Sequence, residues 1–225
     1  MAGEKISLRE MCERYRKLYG GPICDVLDRL NLPNQWLHKD IKPLRLEMVV
    51  AGPAVTAKAV CRPQREGASS PDLMKIVYPG CVLVLDAGEE QLSGHIGGIT
   101  ANSLWAKGCK GVVVDGGIRD SSQHLAIPNW SCFCRYTSPL EQGPRVSILE
   151  VEKPIYMSGS LTSVVKVNPG DFVFGDSDGV IIIPREVAYD VLVQAEDIAA
   201  RESEGIEKIR KGADAEMIKE KYRIG

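Results

Sequence analysis

Two uninterrupted apolar runs, CVLVLDA at residues 81–87 and GVVVD at 111–115, constrain this chain more than any other feature of it. Neither alternates apolar with polar, so neither suits a strand with one wet face. Each reads as a strand covered on both sides, the pattern of parallel sheets flanked by helices. Between them lie a glycine-rich turn, Gly94-His95-Ile96-Gly97-Gly98, and a helical stretch over 99–107 that hands over at Gly108. Parallel neighbours need such a crossover, and strand, glycine loop, helix and strand together make one βαβ unit. The sequence therefore predicts an α/β fold around a parallel pair.

The flanks add elements on both sides. Ser7 and Glu10 form a capping box, and Leu8, Met11, Cys12, Tyr15, Leu18 and Tyr19 recur at helical spacing until Gly20-Gly21 ends the pattern. A second helix is expected from Pro22, as its first residue, to Leu30, followed by a loop over 34–45. Residues 48–61 are rich in β-branched side chains and predict one or two strands, with Pro53 forcing a break or an edge. Residues 62–70 read as a short linker, and Ser70-Pro71 starts a helix reaching Val77. Later strands are expected at 132–136, 145–151, 163–167, 171–174 and 179–183. From Pro184 the chain turns helical to about Lys211, with Val187, Val191, Ala195, Ile198 and Ala199 on one face. Beyond Arg201 this long C-terminal helix is charged and is expected to project or to pack on a partner. No repeat divides the chain, so residues 1–225 read as one domain.

Composition removes several function classes. Twenty-eight Lys and Arg against 30 Asp and Glu give a net charge of −2, without the basic footprint of a nucleic-acid binder. No apolar run approaches the roughly 18 residues of a membrane span, and the start, MAGEKISLRE, lacks a secretory apolar core, so a cytoplasmic protein is expected. The seven cysteines are odd in number, and Cys12, Cys24, Cys61, Cys81 and Cys109 sit among apolar residues, as buried reduced thiols do. Cys132 and Cys134 form a C-x-C without a second pair, and His38, His95 and His124 have no metal-ligand spacing.

Three features are brought to one sheet edge by the βαβ unit. Gly97, Gly98, Ile99 and Thr100 open a helix whose free amides and positive dipole end suit an anion. Asp115-Gly116-Gly117 follows the second strand, at the carboxyl end where open α/β sheets bind ligands. Arg119 and Asp120 add a guanidinium and a second carboxylate. Singly, each has a plain explanation as a tight turn, a cap or a solvated pair; together they form a candidate crevice. The glycines read G-x-x-G-G, not the dinucleotide G-x-G-x-x-G, and neither a phosphate-binding G-x-x-x-x-G-K nor a G-x-S-x-G occurs. Carboxylates without nearby His or Cys favour a hard divalent cation, Mg²⁺ or Mn²⁺, completed by substrate oxygens. A small 2-oxo acid fits, its carboxylate on the amides and Arg119, its keto oxygen on the metal. Lys58, in VTAKAV, is the single candidate for a Schiff base instead.

The segment GGITANSLWAKGCKGVVVDGGIRD, with Gly98 separated by twenty residues from Arg119-Asp120, resembles the signature of the RraA-like family. That family includes the regulator of ribonuclease activity A and the class II 4-hydroxy-4-methyl-2-oxoglutarate and 4-carboxy-4-hydroxy-2-oxoadipate aldolases. VNPGDFVFGDSDGVIIIP and GPICDVLDRLNL look like its later strands and its N-terminal helix. The resemblance implies a swivelling β/β/α three-layer sandwich, trimers or hexamers with sites between subunits, and cleavage of 2-oxo-4-hydroxy acids to pyruvate, with oxaloacetate decarboxylation beside it. It makes Asp120 the metal ligand, Arg119 the substrate contact, and the backbone of Gly97, Gly98, Ile99 and Thr100 the cradle of the pyruvyl portion. It leaves the general base open among a water on the metal, Glu89, Glu90 and a carboxylate from a neighbouring subunit's C-terminal helix. Gln123 departs from the acidic residue that follows Arg-Asp-x-x in the family's aldolases, which weakens the ordering of water at the metal. The family's other mode, a non-catalytic regulator that binds a ribonuclease, is the alternative.

Overall fold

The computed structural model describes residues 6–62, 71–88, 90–143 and 145–222. In chain order, α1 (Leu8–Tyr15), α2 (Gly20–Arg29), β1 (Lys42–Pro43) and the long β2 (Val50–Cys61) lead to the expected βαβ unit. That unit comprises β3 (Val82–Asp86), β4 (Gly94–Ile96), α3 (Gly98–Ala106) and β5 (Gly111–Ile118). Then follow α4 (Ser121–Ala126), β6 (Ser131–Thr137), β7 (Val146–Val151), β8 (Ile155–Ser158), β9 (Val164–Val167), β10 (Phe172–Asp176), β11 (Gly179–Ile183), α5 (Ala188–Arg210) and α6 (Ala215–Tyr222). Nine strands form one sheet in the order β1-β6-β5-β3-β2-β10-β11, with β4 added to β5 and β7 to β2, while β8 and β9 form a separate hairpin. β2, β3, β5 and β6 run parallel at its centre.

The layers follow from the two-residue period of a strand. Val82, Val84, Val113, Phe133, Val173 and Ile182 point to one face and pack with Ile155, Met157, Val165 and Val167 of the hairpin. Their neighbours Leu83, Leu85, Val112, Val114 and Cys132 point to the other face, where Ala101 and Leu104 of α3 cover them. On that same face, Phe172 and Phe174 of β10 meet α1, α2 and α5. Hairpin, sheet and helices are the three layers of the β/β/α sandwich. Tyr15 ties the helical layer together: wholly buried, it stacks on Phe172 at 4.4 Å between centroids and donates its hydroxyl to Ala188 O at 2.6 Å.

Several boundaries differ from the sequence reading for local reasons. The break expected at Pro53 is a change of partner, since β2 pairs antiparallel with β10 up to Pro53 and parallel with β3 from Ala54. The first helix stops at Tyr15, and Gly20-Gly21 opens the second helix instead of closing the first, because Gly20 N–H is capped by Asp176 Oδ2 at 2.8 Å. Pro22 is thus the third residue of α2, still within the turn that needs no amide. The helix expected after Ser70 is one 3₁₀ turn, Leu73–Lys75, capped by Asp72; Ser70 and residues 63–69 of the linker lie outside the described residues. β1, β4 and α4 are too short to give a readable period. The charged end of α5 does not project alone: α6 folds back on it, with Arg201 Nη1 donating to Tyr222 O at 3.0 Å. All seven cysteines are free, and Cys61, expected to be buried, is exposed at the end of β2. Among the described residues no helix is long and apolar enough to cross a membrane.

Candidate active site

α3 begins where β4 ends, with Gly97 as its extended cap. Ala101 N–H is the first amide to bond back into the helix, to Gly97 O at 3.0 Å, so the three amides before it need other acceptors. Gly98 N–H finds Asp120 Oδ2 at 3.0 Å. Those of Ile99 and Thr100 have no acceptor among the described residues and remain open at the positive end of the helix.

Asp120 owes its place to the way β5 ends. Arg119 N–H donates to Ile96 O at 3.0 Å, and the chain then turns through a left-handed Asp120, φ 58°, into the six-residue α4. That conformation costs a non-glycine residue about 1 kcal/mol. It is held by two amides, Gln123 N–H and His124 N–H, which bond Asp120 O at 2.8 and 3.2 Å. Asp120 Oδ2 faces Gly98 N–H and, at 3.5 Å, Arg119 Nε, while Oδ1 has no hydrogen-bond partner among the described residues. Both side chains are about one-third exposed, 34% each.

His124 supports this turn from below. It is fully buried; Nδ1 accepts from Trp130 Nε1 at 3.3 Å and Nε2 donates to Ile96 O at 3.2 Å. Both bonds exist only in the neutral ring, and burial pushes the imidazole below its ordinary range. Gln123 lies across Gly98, where a Cβ would stand 2.6 Å from Gln123 Cδ, so only glycine fits beneath it.

Gly97, Gly98, Ile99, Thr100, Arg119 and Asp120 all line one cavity of about 230 Å³, so the residues that the resemblance gives to metal and substrate meet there. The cavity also has a wall that sequence reasoning missed, Glu141 and Gln142. It is brought in by Gly94 N–H, which donates to Leu140 O at 2.9 Å. No local motif marks these residues; their role comes from a contact across 46 positions of sequence. A larger hollow of about 620 Å³, walled by Leu8, Cys12, Ala51 and Pro79, opens at the other end of the parallel strands, away from their carboxyl termini.

Other expectations are corrected. Asp115 does not join the crevice: it pairs with Arg135 Nε and accepts Ser158 N–H at 2.7 Å, on the hairpin side of the sheet. Glu90, a candidate for the general base, is 7% exposed and does not line the cavity, accepting from Ser93 N at 2.9 Å and Leu92 N at 3.1 Å, with His95 Nε2 at 3.2 Å. Glu89 lies outside the described residues. Lys58 stands in register with Asp86 and Glu150 on β2 and does not line the cavity.

Comparison with known proteins gives a consistent picture. The family model for RraA-like proteins, described as Aldolase/RraA, matches residues 22–182. A Halalkalibacterium halodurans protein, provisionally named 4-hydroxy-4-methyl-2-oxoglutarate aldolase, is 34% identical over 178 residues, 77% of this chain and 76% of its own. The 4-hydroxy-4-methyl-2-oxoglutarate aldolase of Thermus thermophilus is 31% identical over 106 residues, 47% of this chain and 60% of that protein. Among solved structures, Streptomyces coelicolor RraAS2, described as an unusual member of the RNase ES inhibitor RraA protein family, superposes with a TM-score of 0.74. It is 27% identical, over 89% of this chain and 98% of that one.

Proposed function

The chain belongs to the RraA-like family, whose model matches residues 22–182, and on that premise we propose that it is a lyase that releases pyruvate from a small 2-oxo acid. The reactions are retro-aldol cleavage of a 4-hydroxy-4-methyl-2-oxoglutarate type substrate and decarboxylation of oxaloacetate. The observation that carries the reading is the meeting of two open helix-end amides, a guanidinium and a half-free carboxylate in one small cavity. At about 230 Å³ it is below the roughly 300–1,000 Å³ of drug-sized sites and suits a short dicarboxylate.

Asp120 fits a divalent cation, Mg²⁺ or Mn²⁺, as its sole protein ligand. Oδ1 has no other partner, and no group of three His, Cys, Asp or Glu among the described residues forms a closed cage, so water and substrate oxygens would complete the shell. When bound, the cation supplies Lewis-acid polarisation of the keto group. The protein does the rest. The amides of Ile99 and Thr100 and the Arg119 guanidinium bind the substrate carboxylate and fix its plane. As the C–C bond breaks, the hydroxyl proton passes to a base, or CO₂ leaves, and the electron pair spreads from the pyruvyl carbon to the keto oxygen beside these fixed donors, which need no reorganisation as the charge develops, until that carbon takes a proton. Gly98 N–H is not part of that cradle: it orients Asp120.

The family resemblance also points to trimers or hexamers with sites between subunits. Ile99, 84% exposed at the cavity mouth, is an apolar side chain that a second subunit would cover. The test is pyruvate release from oxaloacetate and from 4-hydroxy-4-methyl-2-oxoglutarate, each with Mg²⁺ or Mn²⁺ and with excess chelator, against the metal-only background. Release above background that chelator abolishes supports the lyase; release from neither substrate refutes it. The resemblance to RraAS2 favours a second reading, a regulator that binds a ribonuclease. Co-purification of a ribonuclease without pyruvate release would select it.

A further inference from the structure

The hollow of about 620 Å³ at the amino ends of the parallel strands takes no part in pyruvate release. Its floor is apolar, made by Leu8 and Cys12 of α1, Ala51 of β2 and the Pro79-Gly80 turn that enters β3. Gly80 is left-handed, φ 93°, and a Cβ there would meet nothing nearer than Leu8 Cδ2 at 3.7 Å, so bare backbone faces Leu8 across open space. Cys12 is 7% exposed, and burial lifts its thiol to about 11, so at neutral pH it lines the floor as an uncharged group. The rim is charged. Arg9 and Glu13 neutralise each other at 2.8 Å, whereas Arg16 and Lys110 have no acidic partner within salt-bridge distance among the described residues. Both cations act on the Cys12 thiol, which sets their charges beside the apolar floor. Arg16 also walls a second hollow of about 220 Å³ that reaches Arg45, so the apolar space opens past two uncompensated cations toward a third.

We propose that this hollow is a binding site for a small anionic amphiphile, its apolar chain on Leu8, Cys12 and Ala51 and its anionic head between Arg16 and Lys110. The volume is that of a small-molecule site, within the roughly 300–1,000 Å³ such sites occupy. Charge selects the occupant. A cationic head would be repelled, and an uncharged one would leave both cations uncompensated. A protein partner would find no apolar surround to seal against, because Arg9, Glu13, Arg16, Lys110 and Asn129 occupy the rim. The site lies at the opposite end of the strands from the Asp120 cavity, so the proposal does not rest on the lyase reading.

The experiment is calorimetric titration of the full-length chain with decanoate, below its micellar range, and with decylammonium, which has the same chain and the opposite charge. One decanoate should bind per chain, about tenfold more tightly than decylammonium, as two solvent-exposed ion pairs allow. The double variant Arg16→Ala, Lys110→Ala changes only exposed side chains and should bring the two probes within about threefold of each other. Leu8→Trp, which fills the hollow from a side chain already 40% exposed, should weaken both probes about tenfold without moving the melting temperature. Equal binding of the two probes by the wild type, a preference that survives the double variant, or decanoate binding untouched by Leu8→Trp overturns the proposal. So does association with phosphatidylglycerol vesicles without binding of monomeric decanoate, which gives the surface to a membrane. Self-association that Leu8→Trp abolishes gives the hollow to a second copy of the chain and overturns the proposal as well.

Discussion

Replacing Gly98 by alanine tests the site where its packing is tightest. The new methyl would stand 2.9 Å from Gln123 Cβ and 2.6 Å from Cδ, with Oε1 nearer still, whereas ordinary contacts begin at 3.4 Å. Oε1 and Cδ can swing aside, because Gln123 is exposed. Cβ cannot, because α4 is pinned by Gln123 N–H and His124 N–H on Asp120 O. The helix must therefore retreat by about half an ångström, carrying Asp120 away from Gly98 N–H; overpacking of this kind costs about 1–3 kcal/mol. Against it stands the usual gain of about 0.5–1 kcal/mol for alanine over glycine in a helix. The clash wins, and for a chain of this size the melting temperature should fall by about 2–6 °C. Gln123→Ala keeps the offending Cβ and should rescue little. Gln123→Gly removes it, so melting curves of Gly98→Ala, Gln123→Gly and the double variant should give a favourable coupling of about 1 kcal/mol or more. Additive effects, or a Gly98→Ala protein that melts at or above the wild type, would refute the reasoning.

Arg119→Ala should lower pyruvate release about 10²–10³-fold while barely moving the melting temperature, since its nearest carboxylate is 3.5 Å away and the pair is one-third exposed; rates and melts together check this. Asp120→Asn keeps an acceptor for Gly98 N–H and tolerates the left-handed backbone, so it should fold normally yet lose metal-dependent release. Asp120→Ala should additionally lose about 2 kcal/mol in denaturant unfolding, from strain and the missing bond. Asp115→Ala takes from the Arg135 guanidinium, 16% exposed, its nearest carboxylate, leaving it His38 Nδ1 at 3.0 Å and Asp40 at 4.0 Å, and strands Ser158 N–H; it should cost about 3 kcal/mol in the same assay. His124 sets a pH dependence, to be read with chelator present. Burial holds the folded ring below the ordinary 6.5, so its contribution is complete above that value and lost as the pH falls, when the unfolded chain takes a proton the folded ring refuses. Gln at 124 can accept from Trp130 and donate to Ile96 O without titrating, so His124→Gln should flatten the stability profile below pH 6.5.

The elements legible in the sequence are those whose own pattern determines them. VLVL and VVV are buried on both faces because they are parallel and central, and they appear as unbroken apolar runs for that reason. Ser7 caps α1 through its own side chain, at 3.1 Å from Glu10 N. What was misread depends on partners distant in sequence. Gly20-Gly21 looks like a stop until Asp176 supplies the cap. Pro53 looks like a break until β10 and β3 divide β2 between them. At the site, Arg119, Asp120 and the α3 amides were legible because the βαβ unit alone brings them together. Glu141 and Gln142 were not, since they arrive with a segment pinned by contacts distant in sequence, at Gly94, Leu92 and Ile118.

The misplacement of Asp115 shows how the site is built. Along β5, Val112 and Val114 face the helices while Val113 faces the hairpin, and Asp115 keeps the parity of Val113. It is therefore committed to Arg135 and Ser158 on the hairpin side, whatever its closeness in sequence to Arg119. A regular strand delivers a carboxylate to the helix face only at every second residue, and its side chain stands perpendicular to the sheet. Asp120 has to lie along the sheet edge to meet Gly98 N–H. The chain gets it there by shifting register against β6 between Val114 and Gly117, placing glycines where Ala87 and Tyr136 leave no room for a side chain, and ending in a left-handed turn. The strain at Asp120 is thus the means by which a strand end aims a carboxylate into the cavity, and the neutral His124 beneath it keeps that aim fixed.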